Sequence, residues 1–156
     1  VADQKPPKLV AGERETLMAL LDYQRQSILR KVDGLDDEQA GRRLVGSETS
    51  LLWLVKHLAT AEATWVLQRF AGSTDPVPAD AVTAEDTLAG ATAAYRQTSA
   101  AVDAVAGAAS LDDPCRALPG EEANLRWVLM HLLEETARHA GHADIIRELI
   151  DGHTGR

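Results

Sequence analysis

The stretch from Glu135 to Asp144 places the tightest constraint on any fold for this chain, because it sets ionisable groups on the apolar stripe of a helix. At about 100° per residue, Glu135 and His139 stand one turn apart, and His131 and His142 share their arc. Trp127, Ile145, Ile146 and Leu149 lie on the same side, so the stripe reads as core-facing. An ionisable group turned towards a core costs several kcal/mol unless it is paired or bound to a cation. The fold must therefore bring partners to these groups from another element. A divalent metal is the simplest such partner.

Periodicity and punctuation divide the rest of the chain into helices. After Pro6 and Pro7, the spacing predicts a first helix from about Glu13 to Val32, with Leu17, Leu20, Leu21, Ile28 and Leu29 inward and Gly34 beyond its end. Asp36 with Gln39 has the form of a capping box and predicts a short helical turn near Asp37–Arg42. A second long helix is expected from about Ser50 to Ala71, capped by Ser47 or Thr49 and closed by Gly72. Residues 72–82, with Pro76 and Pro78, read as a plain connector. Thr83 to Asp86 is expected to open a third helix with an acidic first turn suited to the helix dipole, Ala-rich from Thr87 to Val105. A loop with Gly107, Pro114, Pro119 and Gly120 leads to a fourth helix from about Glu122 to Asp151, stopped by Gly152.

Four amphipathic helices without a convincing strand predict an all-α fold, a four-helix bundle whose long connectors cross the bundle end rather than make tight hairpins. The 156 residues suit one domain, 1–156, with residues 1–10 as a loosely ordered N-terminal arm. Apolar residues make up 45% of the chain but aromatics only 4%, so the core must be built from Leu, Val, Ile and Ala, which favours close-packed helices. A formal charge of −8 argues against nucleic acid or anionic lipid as partner. No apolar run is long enough for a membrane span, and the start from Val1 to Lys8 has no signal-peptide core, so a cytoplasmic location is expected. Cys115 is the single cysteine, which excludes an intrachain disulfide and reads as a loop residue.

His57 gives the fourth-helix cluster a partner. Trp53, Leu54, Ala61 and Trp65 flank it on a helical wheel, so it is expected to point inward. Helices in a bundle pack about 8–10 Å apart, close enough for side chains of two helices to meet. One imidazole from the second long helix, with a carboxylate and an imidazole spaced i, i+4 on the fourth, supplies three N/O ligands and leaves coordination positions open, as in catalytic metal sites. The spacing is also compatible with a buried polar network in which Glu135 pairs with Arg138 or His57. His131 lies about 12 Å along the axis from His139, too far to share an ion with it. His131 or His142 is therefore read as a group behind the ligands or an acid/base, and His153 as solvated.

At these residues the chain resembles the DinB-like superfamily of metal-binding four-helix bundles. The similarity is carried by Glu134–Asp144, and more weakly by Glu13–Leu17, Leu44–Ser47, Leu54–Leu58 and Arg126-Trp127. The superfamily pattern has one His on the second helix, matched by His57, and a His-x-x-x-His pair on the fourth, whose last member is matched by His139. Glu135 stands where that pattern has the other His. In this respect the chain is similar to mycothiol-dependent isomerase relatives, in which a Glu and two His bind zinc. The resemblance implies a divalent metal at His57, Glu135 and His139, with Zn first and Ni, Fe or Mn as alternatives.

It further implies a metal-dependent S-transferase or isomerase that uses mycothiol or a similar small thiol together with an electrophile. His142 is then the expected catalytic acid/base. Arg138 is expected to bind acidic groups of the thiol or its partner, a role Arg147 could share. The rival readings are a metal-assisted hydrolase and a non-enzymatic, stress-related metal-binding bundle. Relatives often pair through helical faces, so a homodimer is expected.

Overall fold

The computed structural model describes residues 4–154, and within them the fold is all-α. The helices are α1 (Glu13–Val32), the short α2 (Asp37–Gly41), α3 (Leu51–Glu62), α4 (Leu88–Ala108) and α5 (Leu125–Asp151). From Ala63 to Phe70, α3 continues as a π-helix. Among the described residues there is no strand, only an isolated bridge between Pro114 and Asn124. Of the expected N-terminal arm, residues 1–3 lie outside the described residues.

Local chemistry accounts for most helix ends. The Asp36 side chain accepts from the Gln39 N–H at 2.8 Å while Gln39 accepts from the Asp36 N–H, so the capping box forms as expected. α5 stops at Gly152, whose positive φ of 73° is open to glycine without strain. Three starts differ from expectation. α3 is capped by Ser50, which accepts from Trp53 N–H at 3.1 Å, whereas the Ser47 and Thr49 hydroxyls bond to each other.

α4 begins at Leu88, not Thr83, with Thr87 as its cap. Thr83 and Asp86 instead close a turn of their own, and Asp86 is drawn to the Lys56 ammonium. The Leu88 N–H is taken by the Asp37 carboxylate at 2.7 Å, so the acidic residues stand outside the helix. α4 also runs through Gly107, which was expected in the following loop. α5 begins at Leu125 behind an Asn124 cap rather than at Glu122. Backbone bonds from Cys115 to Ala123 and from Leu125 to Asp113 hold the preceding residues extended.

The side chains buried along each helix fix the topology. α1 and α5 run in one direction and α3 and α4 in the other, since Leu17, Phe70, Val102 and Leu125 share one cluster and Val32, Leu51, Leu88 and Ile146 another. Because α3 and α4 are parallel, their connector cannot simply cross the bundle end as expected. It returns along α3, tied down by Gln68 to Asp75 O, Thr60 to Pro78 O and Lys56 to Ala81 O.

A polar waist separates the two apolar clusters. Arg25 and Glu62 are almost wholly buried there and pair through two hydrogen bonds of 2.8 and 2.7 Å, with Asp103 adding a third to Arg25 at 2.7 Å. Burial raises the Glu62 carboxyl above the usual carboxylate range, and the Arg25 guanidinium opposes that rise. The π-helix starts at the next residue. Its wider turns, seen in the Ala71 N–H donating to Val66 O at 2.9 Å, rotate the following side chains relative to an α-helical wheel.

Removing one partner of a buried ion pair strands the other. Arg25→Ala is expected to cost about 3–5 kcal/mol in urea unfolding, while Arg25→Met combined with Glu62→Leu restores most of that stability. A loss below ~1 kcal/mol for Arg25→Ala alone would contradict a waist held by this pair.

Candidate metal centre

The antiparallel contact between α3 and α5 brings His57 opposite Glu135 and His139. His57 Nε2 lies 3.3 Å from Glu135 Oε1, and His139 Nε2 lies 3.0 Å from the same oxygen. Among the described residues, these three offer ligand atoms that all lie within 4.8 Å of one another. Their side chains retain 24%, 18% and 11% of their surface, so the donors meet in a groove that solvent reaches rather than in a sealed core.

Helix periodicity explains why they converge. Glu135 and His139 are successive rungs of α5, anchored from behind by Thr136 and Ala140, both buried. His57 is held by Trp53, one turn earlier on α3, whose ring stacks on it at 4.6 Å and 15°. Trp53 also meets the edge of His139 at 6.1 Å.

Electrostatics keep Glu135 anionic and His139 neutral near pH 7. Burial by itself would raise the Glu135 carboxyl, but hydrogen bonds and charge from His57 and His139 outweigh it and hold the group below the usual carboxylate range. Burial also pushes the His139 imidazole below its ordinary value, against the opposing pull of Glu135. Both imidazoles turn Nε2 to the centre and Nδ1 outward. His57 Nδ1 faces Asp80 Oδ2 at 3.3 Å, and His139 Nδ1 faces His142 Nδ1 at 3.3 Å. With a cation bound, the protons would shift to Nδ1, where Asp80 and His142 stand to partner them, and each Nε2 lone pair would face the ion, the arrangement that metal-binding histidines require. Two imidazole nitrogens and one carboxylate oxygen therefore fit a divalent ion such as zinc.

The remaining expected residues occupy different places. His142 is exposed and stands behind His139, on the side away from Glu135. Arg138 is exposed and reaches the second carboxylate oxygen of Glu135 at 3.3 Å. Arg147 is spent elsewhere: it donates to the carbonyls of Lys31 and Asp33 at the end of α1 and pairs with Asp151. His131 belongs to an aromatic cluster, stacked on Trp127 at 5.0 Å and edge-on to Trp65 at 4.7 Å. His153 is exposed beyond α5. Cys115 is partly buried, and that burial raises its thiol above the ordinary value, which leaves it protonated near neutrality and a poor nucleophile.

The stripe is also less buried than its apolar members imply. Ile146 is covered, but Trp127, Ile145 and Leu149 are 48%, 57% and 53% exposed, so that side of α5 is not closed over by a neighbouring helix. Sequence reasoning missed Asp80 altogether. It lies in the returning connector, and no spacing rule links it to His57.

Comparison with known proteins gives the family and the fold. The model of the Mycothiol-S-transferase family matches residues 16–152. The crystal structure of a conserved protein from Enterococcus faecalis shares the fold, with a TM-score of 0.67 over 92% of this chain and 100% of that chain, at 16% identity. No curated protein matches the chain significantly.

His57→Ala, Glu135→Ala and His139→Ala are each expected to reduce bound divalent metal to background in elemental analysis, with His153→Ala unchanged. Full occupancy in all three would rule out the centre. Asp80→Ala is expected to weaken zinc binding by roughly 10- to 100-fold in a chelator-competition titration, because it frees the His57 ring.

Proposed function

Since the chain belongs to the Mycothiol-S-transferase family, within the DinB-like superfamily, we propose that it joins the sulfur of mycothiol or a similar small thiol to an electrophile. In this reading His57, Glu135 and His139 hold a divalent ion, zinc first. The observation that carries the proposal is the convergence of two Nε2 atoms on one oxygen of Glu135 in a solvent-reached groove. An ion held by three protein ligands keeps positions open and makes a thiolate available near neutral pH.

The chain's own side chains then supply order. Asp80 fixes the His57 ring through Nδ1, and Trp53 prevents that ring from swinging out. His142 does the corresponding work for His139, so its position favours a positioning role over direct proton transfer at the sulfur. Arg138 steadies the second oxygen of Glu135 and, being exposed at the groove's rim, is placed to meet an acidic group on either substrate. An ion with two neutral ligands and one carboxylate is a weaker Lewis acid than one under three imidazoles, which suits activation of an already acidic thiol better than activation of water.

The test is thioether formation from mycothiol and an alkyl halide, followed by mass spectrometry with zinc-loaded and metal-free protein. The zinc-loaded form is expected to accelerate the reaction, and Glu135→Ala to return it to the uncatalysed rate. Equal rates with and without metal would refute the proposal. His142→Ala is expected to weaken zinc binding by roughly 10- to 100-fold, with activity recovered at saturating zinc. A persistent loss at full occupancy would give His142 a direct catalytic part instead.

A further inference from the structure

The groove between α3 and α5 is chemically different on the two sides of the donor set. Towards the start of α5 it is aromatic: Trp65, Trp127 and His131 pack together, and the Arg69 guanidinium lies 4.1 Å from the Trp65 ring centre. Towards the end of α5 the loop before α3 forms with it a cleft of about 240 Å³ lined by Val45, Ser47, Thr49, His142, Ile145 and Ile146. This second side is aliphatic. Its two hydroxyls bond to each other at 2.8 Å, which leaves one O–H between them for solvent.

The cleft shares a wall with the metal centre. His142 lines it, and the same imidazole bonds to His139 at 3.3 Å. Ile145 projects there and is 57% exposed, a large aliphatic side chain that the bundle does not cover. Size limits the occupant. A cavity of about 150 Å³ takes up one benzene, so this cleft has room for a single substituted ring or a short alkyl chain, and none for a helix.

We propose that this cleft receives the apolar group of the electrophile, which makes the second substrate a small, uncharged alkylating molecule bearing one ring or a short chain. The inference rests on the thiol-transfer reading. In that reaction the sulfur lone pair forms the new C–S bond, the leaving group departs with the electron pair of the bond that breaks, and the thiol proton passes to water. The cleft would hold the electrophile's apolar group behind His139, one side chain from the donors and on the opposite side from Trp65 and Trp127. That side is left to the thiol's carrier.

Binding in the cleft can be read without turnover. Isotope-labelled, zinc-loaded protein titrated with benzyl alcohol, without thiol, is expected to show saturable amide shifts centred on residues 45–49 and 142–146. Ile145→Asp, a change at an exposed position, is expected to weaken that binding at least about tenfold by removing the apolar contact, with zinc per chain unchanged. Shifts that do not saturate, or that centre on Trp65 and Trp127, would overturn the proposal. So would shifts at residues 45–49 and 142–146 that follow protein concentration without probe, since a second copy would then cover this face. A saturable cleft in a protein that forms no thioether would count against the transfer reading. Thioether formation without saturable binding would count against the cleft assignment alone.

Discussion

Charge held at mid-height of the bundle is the constraint on which the rest of the structure depends. Arg25 from α1 and Glu62 from α3 are almost fully removed from water, and each is tolerable only because the other is in place. Their pairing sets the level at which α1 and α3 meet, and with Asp103 it draws in α4. Apolar packing above and below is largely Leu, Val, Ile and Ala, and such contacts alone tolerate sliding by a turn. The buried pair removes that freedom. Once α1 and α3 are in register, the ion pairs Lys31–Asp144 and Glu13–Arg126 place α5 along α1, and His57 comes to rest opposite Glu135.

The same register creates the groove. α5 packs mainly on α1 and α3 mainly on α4, and at the α3–α5 seam the donors keep part of their surface in solvent. A reactive centre needs such a compromise. In the proposed reaction the donors would have to be ordered enough to keep their geometry and exposed enough for two substrates to arrive. Stacking by Trp53 and outward hydrogen bonds to Asp80 and His142 supply the order, while the seam supplies the access. All three tryptophans of the chain line this seam, although aromatics are scarce elsewhere.

Much of the candidate centre was legible in the sequence for a simple reason. Two of its candidate ligands sit on one helix at i, i+4, where covalent geometry converts spacing directly into proximity. His57 required only that its apolar flanks point it inward. The capping box at Asp36 and the glycine stop at Gly152 were legible on the same grounds, since each is settled within a few residues. The start of α4 was misread because a local signal, the acidic turn at Glu85 and Asp86, competes with a distant one. Lys56 claims Asp86, Asp37 claims the Leu88 N–H, and those contacts together outweigh a modest dipole preference.

By itself the sequence determined the helices and the residue types available to a metal, because these follow from periodicity and neighbours a few positions away, but not how much of the α5 stripe is covered. Only the tertiary structure decided the parallel course of α3 and α4, the connector that returns Asp80 to His57, and the π-helical turns after Glu62. It also decided that the groove has an aromatic side and an aliphatic side. Each of these joins residues distant in the chain. Such contacts form only where the energy of burial and pairing exceeds the entropy of closing long loops, a balance that no local window of sequence contains.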